Sequence, residues 1–570
     1  MPDMRKNIYY LLFFLAIIFL PFFVSADTLG QTREFFIDSS YDKSGREKIL
    51  ASLKKVSLKA YFYMDSDWFN KLAPGDQELV QTNIEALSKE FDEKIYPTLT
   101  QTFGQEWAPG IDSDYNITIL FHQIRDDAGG YFNNGDEYPK YQSPKSNERE
   151  IIYLNSQHIF FPIIKSYLAH EFLHLITFNQ KERLKKIQEE VWLNEARAEY
   201  APTLLGYDSE YDGSNLQQRV KQFILAPTDS LTEWQNQKAD YGLVNVFTQY
   251  LVDQYGVRIL ADSLQSSKTG IASLNEALIK AGTQKDFSQV FSDWLAAIFL
   301  NNCKVSPRYC YKNGNLLNLR VAPSLIFLPS TQKTSVSLNY STKEWQGSWY
   351  RIIGGEGDLK LEFKGQENVK FKVSYILCKD TDNCQVLFLS LDEKQKGEIL
   401  LKDFSKNWTA LIIIPSIQSK ISNFGKGEPN FDFLVAISTT LKTEDEKTKE
   451  GLLAQIDFLK REIARIQEQL KALLAEKGQM FVCQRFDNNL YFGMQNNTEV
   501  SCLQNVLKDQ GPEIYPEGLV TGNFFSVTRL AVIRFQEKYT QDILTPFGLT
   551  NGTGIVGPRT RAKLNQILIP

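Results

Sequence analysis

Two histidines and a glutamate stand in the pattern His170-Glu171-Phe172-Leu173-His174. Apolar residues on either side recur at helical spacing, which predicts a helix through the pattern. On a helix both histidines project from one face, where their ring nitrogens can reach one Zn²⁺ ion at about 2.0–2.1 Å. Glu171 then lies beside the metal, where its carboxylate can take the proton of a water that attacks a carbonyl. The pattern indicates a hydrolytic zinc site; the alternative is a solvated helix that happens to carry two histidines.

A hydrolytic zinc needs a third protein ligand and keeps one open position. The chain has four histidines and none follows His174, so this ligand must be a carboxylate or a cysteine. Residues 192–200 predict a second helix, and Glu195 stands there among apolar neighbours, where an unpaired carboxylate would be costly. We predict Glu195 as the third ligand. Glu199, one turn later, is predicted to accept the free ring N–H of His170 or His174, unless it is simply exposed on the helix.

These motifs resemble those of the gluzincin metallopeptidases, a group that includes thermolysin, and most closely the hyicolysin-like, peptidase MA-like branch. The resemblance rests on His170-Glu171-x-x-His174 and Asn194-Glu195-x-x-x-Glu199. It rests more loosely on Gly130-Tyr131-Phe132, Ile151–Asn155 and Asp240-Tyr241-Gly242. It covers roughly residues 30–305 and implies a zincin-type α+β domain that hydrolyses peptide bonds with Zn²⁺. The gap of 20 residues between His174 and Glu195 is close to, but not identical with, the commonest gaps of those families.

The same resemblance implies roles for a strand and a tyrosine. Ile151–Asn155 would be the edge strand along which an extended peptide binds. Tyr241 would be the hydroxyl that stabilises the oxyanion formed during attack, with ordinary helix packing as its alternative role. His158 is a second candidate for that donor, although a lone histidine before an apolar run is more often structural. His122 is interpreted as a strand residue only.

The amino terminus is typical of an exported protein. Arg5 and Lys6 precede 16 apolar residues from Ile8 to Phe23, and small residues follow up to Ala26. We predict a signal peptide over residues 1–26 and an extracellular or cell-wall-associated protein. The stretch is shorter than the roughly 20 residues that span a bilayer, so an uncleaved membrane anchor is the alternative. Activation by processing of residues 27–60 also remains open.

The chain of 570 residues suggests roughly four domains as a soft prior. Residues 27–305 mix helical and strand patterns, which predicts the α+β metallopeptidase domain. Residues 306–441 carry short β-type runs between turn residues, which predicts a β-sandwich accessory domain. Two segments follow, a linker over 442–478 and a compact module over 479–570. The net charge of −5 gives no argument for a nucleic-acid partner, and we predict none.

The six cysteines fall into three close pairs. These are Cys303 with Cys310, Cys378 with Cys384, and Cys483 with Cys502. An even number in a chain with an export signal favours disulfides, and loop-closure entropy favours the near pairings among the 15 that six cysteines allow. No pair has the CxxC spacing of a zinc ribbon, so structural disulfides are the preferred interpretation.

Residues 442–478 predict a short coiled coil. Apolar residues recur there at alternating steps of four and three, at Leu452, Ile456, Leu459, Ile463, Ile466, Leu470 and Leu473. This is the a/d seam of a heptad repeat. About three heptads are also consistent with a helical hairpin arm or a rigid spacer, so a homodimer through the coiled coil is one of three readings.

Residues 479–570 predict three short helices joined by glycine-rich turns. The order of these pieces is similar to the peptidoglycan-binding-domain-like module, which implies binding to the bacterial cell wall. Phe525 stands where that family usually has glycine, and the turn from Thr545 to Thr553 is long. A generic helical interaction module is the alternative, and no internal repeat is evident.

The sequence therefore predicts a multidomain, exported bacterial zinc peptidase that acts on peptides or proteins and is held at peptidoglycan by its carboxy-terminal module. A second hypothesis makes the stem peptides of peptidoglycan the substrate. A third is a non-catalytic wall-binding protein with a structural zinc site. Glu171 counts against the third, because a structural site needs no general base and usually has four protein ligands.

Overall fold

The computed structural model describes residues 27–330, 333–419, 429–440, 456, 459–462, 485–495 and 497–568. The predicted signal segment 1–26, Cys483 and most of the predicted coiled coil lie outside the described residues. None of the described helices combines the length and apolar character needed to cross a bilayer.

The amino-terminal part is built on a six-stranded sheet in the order β1-β2-β3-β4-β6-β5. The strands are β1 Thr32–Phe36, β2 Lys48–Val56, β3 Ala60–Asp65, β4 Ile117–His122, β5 Gly130–Phe132 and β6 Ile151–Asn155. β3, β4 and β6 are parallel, and the other neighbours are antiparallel. The expectation that Ile151–Asn155 is the edge strand is therefore wrong. The short strand β5 returns antiparallel along β6 and takes the edge position instead.

Helices cover this sheet and then form a unit of their own. They are α1 Ser66–Asn70, α2 Pro74–Glu90, α3 Tyr96–Phe103, α4 Ile164–Thr177, α5 Val191–Leu204, α6 Asn215–Leu225, α7 Lys238–Tyr255, α8 Arg258–Gln265, α9 Gly270–Lys280 and α10 Phe287–Leu300. One hydrophobic core joins the sheet to the helices, and it continues beyond residue 305 through Tyr311 and Leu316 to Val321. The helical part therefore uses residues up to the start of the next sheet.

The first residues after the predicted signal segment belong to the sheet. The Asp27 carboxylate forms ion pairs with Arg149 at 2.6 Å and with Arg33 at 3.0 Å. β1 pairs along its whole length with the first five residues of β2, and Phe35 and Leu53 are buried in a core below them. Removal of residues 27–60 would take two strands out of the sheet, which argues against their being an activation segment.

Two further sheets follow and share a second core. One has the order β13-β10-β15-β8 and the other the order β12-β11-β14-β9-β7. The strands are β7 Ser324–Leu328, β8 Ser335–Thr342, β9 Tyr350–Gly354, β10 Asp358–Gly365, β11 Phe371–Cys378, β12 Cys384–Leu389, β13 Lys396–Leu401, β14 Ala410–Ile417 and β15 Phe431–Thr440, with the single turn α11 Phe404–Asn407 before β14. Alternation of buried and exposed residues along β10 and β15 explains how each strand places one face on that core.

The five-stranded sheet and the loop between β8 and β9 are also packed onto the helical unit. Trp345 contacts Phe287 and Phe291 of α10 with ring centroids 5.1 and 5.3 Å apart, and the indole N–H of Trp349 donates to the Leu295 carbonyl at 2.8 Å. Large aromatic rings of this kind bury much apolar area. The sheets are therefore joined to the helices by a packed interface and not by a linker alone.

Two of the three predicted disulfides are present as predicted, Cys303–Cys310 and Cys378–Cys384. Cys502 is also disulfide-bonded. Its predicted partner Cys483 lies outside the described residues. Within the predicted coiled coil, Ile456 and residues 459–462 are helical, and Glu462 accepts from Arg351 of β9 at 3.0 Å.

The carboxy-terminal module contains α12 Thr498–Asp509, α13 Ser526–Lys538, the single turn α14 Thr540–Ile543, and α15 Pro558–Leu568. A buried glutamine organises each half. Gln504 donates to Thr528 at 2.8 Å and accepts from the Gly522 N–H at 2.9 Å. Gln536 donates to Thr560 at 3.0 Å and accepts from the Gly554 N–H at 2.9 Å. Because the spacing between partners is the same in both halves, the module is an internal repeat that the sequence analysis missed.

Phe525, at the position where the predicted resemblance expects glycine, is a buried packing residue. It is 6% exposed, and its ring lies 5.8 Å from Phe161 of the amino-terminal part and 6.3 Å from Phe492 of the module. The Phe525 ring thus packs the module against the segment that leads into α4.

Candidate metal centre

The two helices predicted from the zinc motifs are α4 and α5, and they pack against each other. Twelve residues of α4 are buried, including His170, Glu171 and His174, so the helix runs through the middle of the unit. α5 begins at Val191 and places Glu195 in its second turn. The alternative of a solvated helix is excluded, because both histidines are no more than 9% exposed.

The three predicted ligands converge. The Nε2 atoms of His170 and His174 are 3.1 Å apart, and Oε2 of Glu195 lies 3.2 Å from the first and 3.6 Å from the second. Ligands bonded to one zinc at about 2.0–2.1 Å in tetrahedral geometry stand about 3.4 Å from each other. Among the described residues, this is the one group of three or more histidine, cysteine or acidic side chains close enough to share a metal ion.

Both rings are held with Nε2 turned toward that point. Nδ1 of His174 lies 3.1 Å from Oδ1 of Asn194, and Nδ1 of His170 lies 3.4 Å from Oε1 of Glu199. When each Nδ1 is protonated and donates a hydrogen bond to its acceptor, both Nε2 atoms are unprotonated. Each Nε2 then offers a lone pair to a metal ion. Oε2 of Glu195 is buried without a hydrogen-bond donor. Three such atoms facing one another can share one cation, so the donor set fits Zn²⁺.

The charges agree with this conclusion. Burial opposes charge on the imidazole of His174, but the Glu195 carboxylate outweighs it and raises the pKa of His174 to about 9. Burial likewise opposes charge on Glu195, yet the two histidines hold the pKa of its carboxyl well below its usual range. The centre therefore attracts positive charge.

Glu199 is not an exposed helix carboxylate. It is 0% exposed, and it accepts from Nη2 of Arg219 at 2.7 Å and from Nε at 2.8 Å. Asn215 and Asn245 donate to its Oε2 at 2.9 and 3.2 Å. A carboxylate fixed by four donors can orient the ring of His170 firmly.

We expect Glu199→Gln to weaken zinc binding about 10- to 100-fold, because the amide is a poorer acceptor for the His170 ring N–H. We also expect a loss of about 3–5 kcal/mol in the free energy of unfolding, because the buried Arg219 guanidinium loses its counter-charge. Competition with a chromophoric chelator and urea denaturation measure the two effects. Glu210→Gln, at an exposed position, is the matched control. Unchanged zinc affinity in Glu199→Gln would show that the orientation of His170 does not depend on Glu199.

Glu171 lies beside the three predicted ligands, on the side that faces the edge strand β5. Burial raises the pKa of its carboxyl, against the influence of the two histidines, which lower it. A Cβ atom on Gly130 of β5 would stand 3.0 Å from Cγ of Glu171 and 2.7 Å from the Tyr153 carbonyl oxygen. The glycine of Gly130-Tyr131-Phe132 is thus explained by the close approach of β5 to the glutamate.

A cavity of about 120 Å³ opens next to the centre. Its lining includes Tyr41, Gly130, Tyr167, His170, Glu171, Arg219 and Tyr241. It gives His170 and Glu171 access to a ligand from outside. Of the sequence candidates, His122 and His158 are not among the residues that line it.

Those two histidines have other surroundings. His122 is buried, with Nδ1 3.2 Å from Oδ2 of Asp42 and Nε2 3.2 Å from the Tyr131 hydroxyl. His158 contacts the rings of Phe161 and Tyr167, and burial lowers its pKa to about 4. Neither is placed as an oxyanion donor.

Tyr241 lies in the first turn of α7 and lines the cavity. Its hydroxyl donates to Oδ1 of Asn236 at 3.0 Å, and burial raises its pKa well above the usual range. Its neighbours in the motif are structural. Asp240 caps α7 by accepting from the Gln237 N–H at 2.7 Å, and a Cβ on Gly242 would stand 2.5 Å from the backbone nitrogen of Phe223. Asp240-Tyr241-Gly242 therefore fixes the start of α7 close against α6.

The sequence analysis missed several residues of the site. Asn194 belongs to the motif Asn194-Glu195-x-x-x-Glu199, but only the two glutamates of that motif were predicted as site residues. Tyr41 and Arg219 carried no signal, because neither stands in a recognisable pattern and both reach the site only through the tertiary fold.

Comparison with known proteins gives a distant relative. No family model matches the chain. The neutral metalloprotease ShpI of Staphylococcus hyicus is 29% identical over 233 residues, which cover 36% of this chain and 50% of that protein. The chain thus spans about half the length of this relative.

Solved structures give no further information. The pre-peptidase C-terminal domain of a collagenase from Bacillus anthracis matches 20% of the chain at 5% identity, with a TM-score of 0.14. The lysozyme inhibitor PliG of Aeromonas hydrophila matches 20% of the chain at 12% identity, again with a TM-score of 0.14. Scores this low carry no argument about fold or function.

Proposed function

We propose that this protein is an exported zinc-dependent peptidase that is held at the cell wall by its carboxy-terminal module. The convergence of Nε2 of His170, Nε2 of His174 and Oε2 of Glu195 at 3.1–3.6 Å, with Glu171 beside them, carries the proposal. The similarity to a protein named as a neutral metalloprotease supports it. Zinc is the ion that this donor set suits, because two imidazoles, one carboxylate and an open side are typical of hydrolytic zinc sites.

His170, His174 and Glu195 would hold the zinc, which when bound supplies Lewis acidity toward a carbonyl and a water molecule. Glu171 takes the proton of the attacking water and passes it to the departing amine. Asn194 and Glu199 keep the imidazole rings turned toward the ion. Each of these roles belongs to a side chain that α4 or α5 already holds in place.

The substrate is proposed to bind as an extended peptide along β5. This strand is the edge of the six-stranded sheet next to Glu171, and its backbone groups on the side away from β6 can pair with another strand. Addition of a strand there would lay a peptide carbonyl across the cavity.

A second candidate substrate is the stem peptide of peptidoglycan. The contact between Phe161 and Phe525 favours it, because a wall-binding module packed against the catalytic unit would keep the site near the wall. The non-catalytic reading lacks such support, since it gives the buried Glu171 no role.

The test uses the full-length chain with one equivalent of zinc, a mixed peptide library and purified peptidoglycan, all read by mass spectrometry. We expect peptide cleavage that 1,10-phenanthroline abolishes and added Zn²⁺ restores. Sedimentation with insoluble peptidoglycan should survive the chelator, because no described residue of the module belongs to the candidate ligands or lines the cavity beside them. Cleavage confined to peptidoglycan would identify the second candidate. Stoichiometric zinc without cleavage of either substrate would overturn the peptidase proposal.

A further inference from the structure

Tyr41 enters the cavity from a part of the chain far from the zinc motifs. It lies in the loop between β1 and β2 and lines the same cavity as His170, Glu171 and Tyr241. Burial raises the pKa of the Tyr41 hydroxyl, and the carboxylates of Glu171 and Glu195 raise it further. Burial also raises the pKa of Tyr241, as do Glu195 and Tyr41. The two phenols therefore line one cavity beside the centre.

The loop that carries Tyr41 is firmly held. The Tyr41 ring is stacked on Tyr131 with centroids 4.6 Å apart, and the Arg125 guanidinium lies 4.7 Å from the ring centre. The backbone oxygen of Tyr41 accepts from the Arg125 N–H at 2.8 Å. The next residue, Asp42, pairs with Arg46 at 2.9 Å and with His122. A side chain fixed in this way is preorganised for a functional contact.

Asn236 lines the cavity together with both phenols. Its Oδ1 accepts a hydrogen bond from the Tyr241 hydroxyl at 3.0 Å. Burial raises the pKa of Tyr41, and the Asn236 side chain acts in the opposite direction, as expected when its amide N–H group faces the phenol oxygen. Asn236 adopts a left-handed backbone conformation with φ of 58°, which asparagine tolerates better than most residues.

This arrangement differs between the two hydroxyls. The Tyr241 hydroxyl donates its hydrogen bond to Asn236. In the part of the chain that the structure describes, no group accepts a hydrogen bond from the Tyr41 hydroxyl, so that hydroxyl can donate to a ligand in the cavity. Burial raises the pKa of Tyr41 overall, and the hydroxyl stays protonated at neutral pH.

We propose that Tyr41 donates a hydrogen bond to the oxygen of the carbonyl under attack, and that Asn236 positions Tyr41 and Tyr241 as a pair. The inference rests on the proposed peptidase function and adds a catalytic residue that no motif contains. A neutral donor aimed at an oxygen on which charge develops stabilises the transition state more than the ground state.

The first test measures kcat and KM for a peptide that the parent cleaves, in the full-length chain. We expect Tyr41→Phe to lower kcat about 100-fold with little change in KM, as for loss of one oxyanion donor. Asn236→Gly keeps the left-handed backbone and should give a smaller fall in kcat. Tyr141→Phe is the matched control, because Tyr141 is 83% exposed. A kcat for Tyr41→Phe within twofold of the parent would overturn the inference while leaving the peptidase function intact.

The second test does not depend on turnover. A phosphinic peptide built on the cleaved sequence carries the tetrahedral, anionic group that resembles the transition state. Calorimetry should show that Tyr41→Phe weakens its binding by a factor close to the loss in kcat/KM, with zinc content and melting temperature unchanged. Equal affinity in parent and variant would contradict a contact from Tyr41. Absence of cleavage by the parent would count against the proposed function and not against the geometry of Tyr41.

Discussion

Glu171→Gln is expected to lower kcat for peptide cleavage about 10³- to 10⁴-fold while leaving the metal in place. The amide keeps the size of the carboxylate but cannot take a proton from the attacking water, and general-base catalysis contributes up to that factor. The three ligands of the centre come from other residues, so one zinc per chain should remain. Single-turnover cleavage and zinc content by mass spectrometry measure the two quantities on the same sample.

The matched control for this change is Glu78→Gln, on the exposed face of α2 and outside the cavity. It alters charge in the same way and should keep full activity. If Glu171→Gln retained a tenth or more of the parent kcat, another group would have to act as the base. If it lost its zinc, Glu171 would have a role in holding the metal that the geometry does not indicate.

The convergence of the candidate ligands could be predicted from the sequence because it depends on local spacing. His170 and His174 are one helical turn apart, so the helix alone brings them together. Glu195 followed from the cost of burying a carboxylate among apolar neighbours. In the structure all three atoms converge, and Glu199 adopts the orienting position expected for it.

The parts that depend on tertiary structure could not be predicted. The edge position of β5 is set by a return of the chain after β4, and three residues are too short to give a strand signal. Tyr41 reaches the cavity because the loop between β1 and β2 pairs with residues 123–125 after β4, which no local pattern reveals. Such residues are found only when the fold has been determined.

Two other features were present in the sequence but were not recognised. Gln504 and Gln536 follow the same local pattern, each with a later threonine and glycine at equal spacing, and the buried hydrogen bonds of both halves make that repeat plain. The apolar and aromatic residues between Cys310 and Val321 continue the helical core, although the boundary of the β-sandwich domain was predicted before them, at residue 306. In both cases the sequence pattern reflects how side chains pack in the core. It is not a motif of residues that could do chemistry.

Glu195→Gln is expected to remove the zinc that Glu171→Gln retains. The centre has three candidate protein ligands, and the substitution leaves two neutral imidazoles with a weak amide oxygen in place of the carboxylate. Loss of a residue that only orients a metal ligand lowers metal affinity about 10- to 100-fold. Loss of a charged ligand should therefore lower the affinity by more than about 100-fold. Competition with a chelator of known affinity measures this loss.

Thermal unfolding gives an independent readout for the same pair of variants. Zinc at 100 times its dissociation constant stabilises the folded state by about 2.7 kcal/mol through mass action. The parent and Glu171→Gln should therefore melt at a higher temperature with zinc, and Glu195→Gln should show almost no shift at the same concentration. Because the two glutamates lie side by side and the substitutions are chemically identical, opposite outcomes would separate the residue that holds the metal from the residue that moves the proton. A zinc-dependent shift in Glu195→Gln equal to that of the parent would mean that the third ligand is not Glu195.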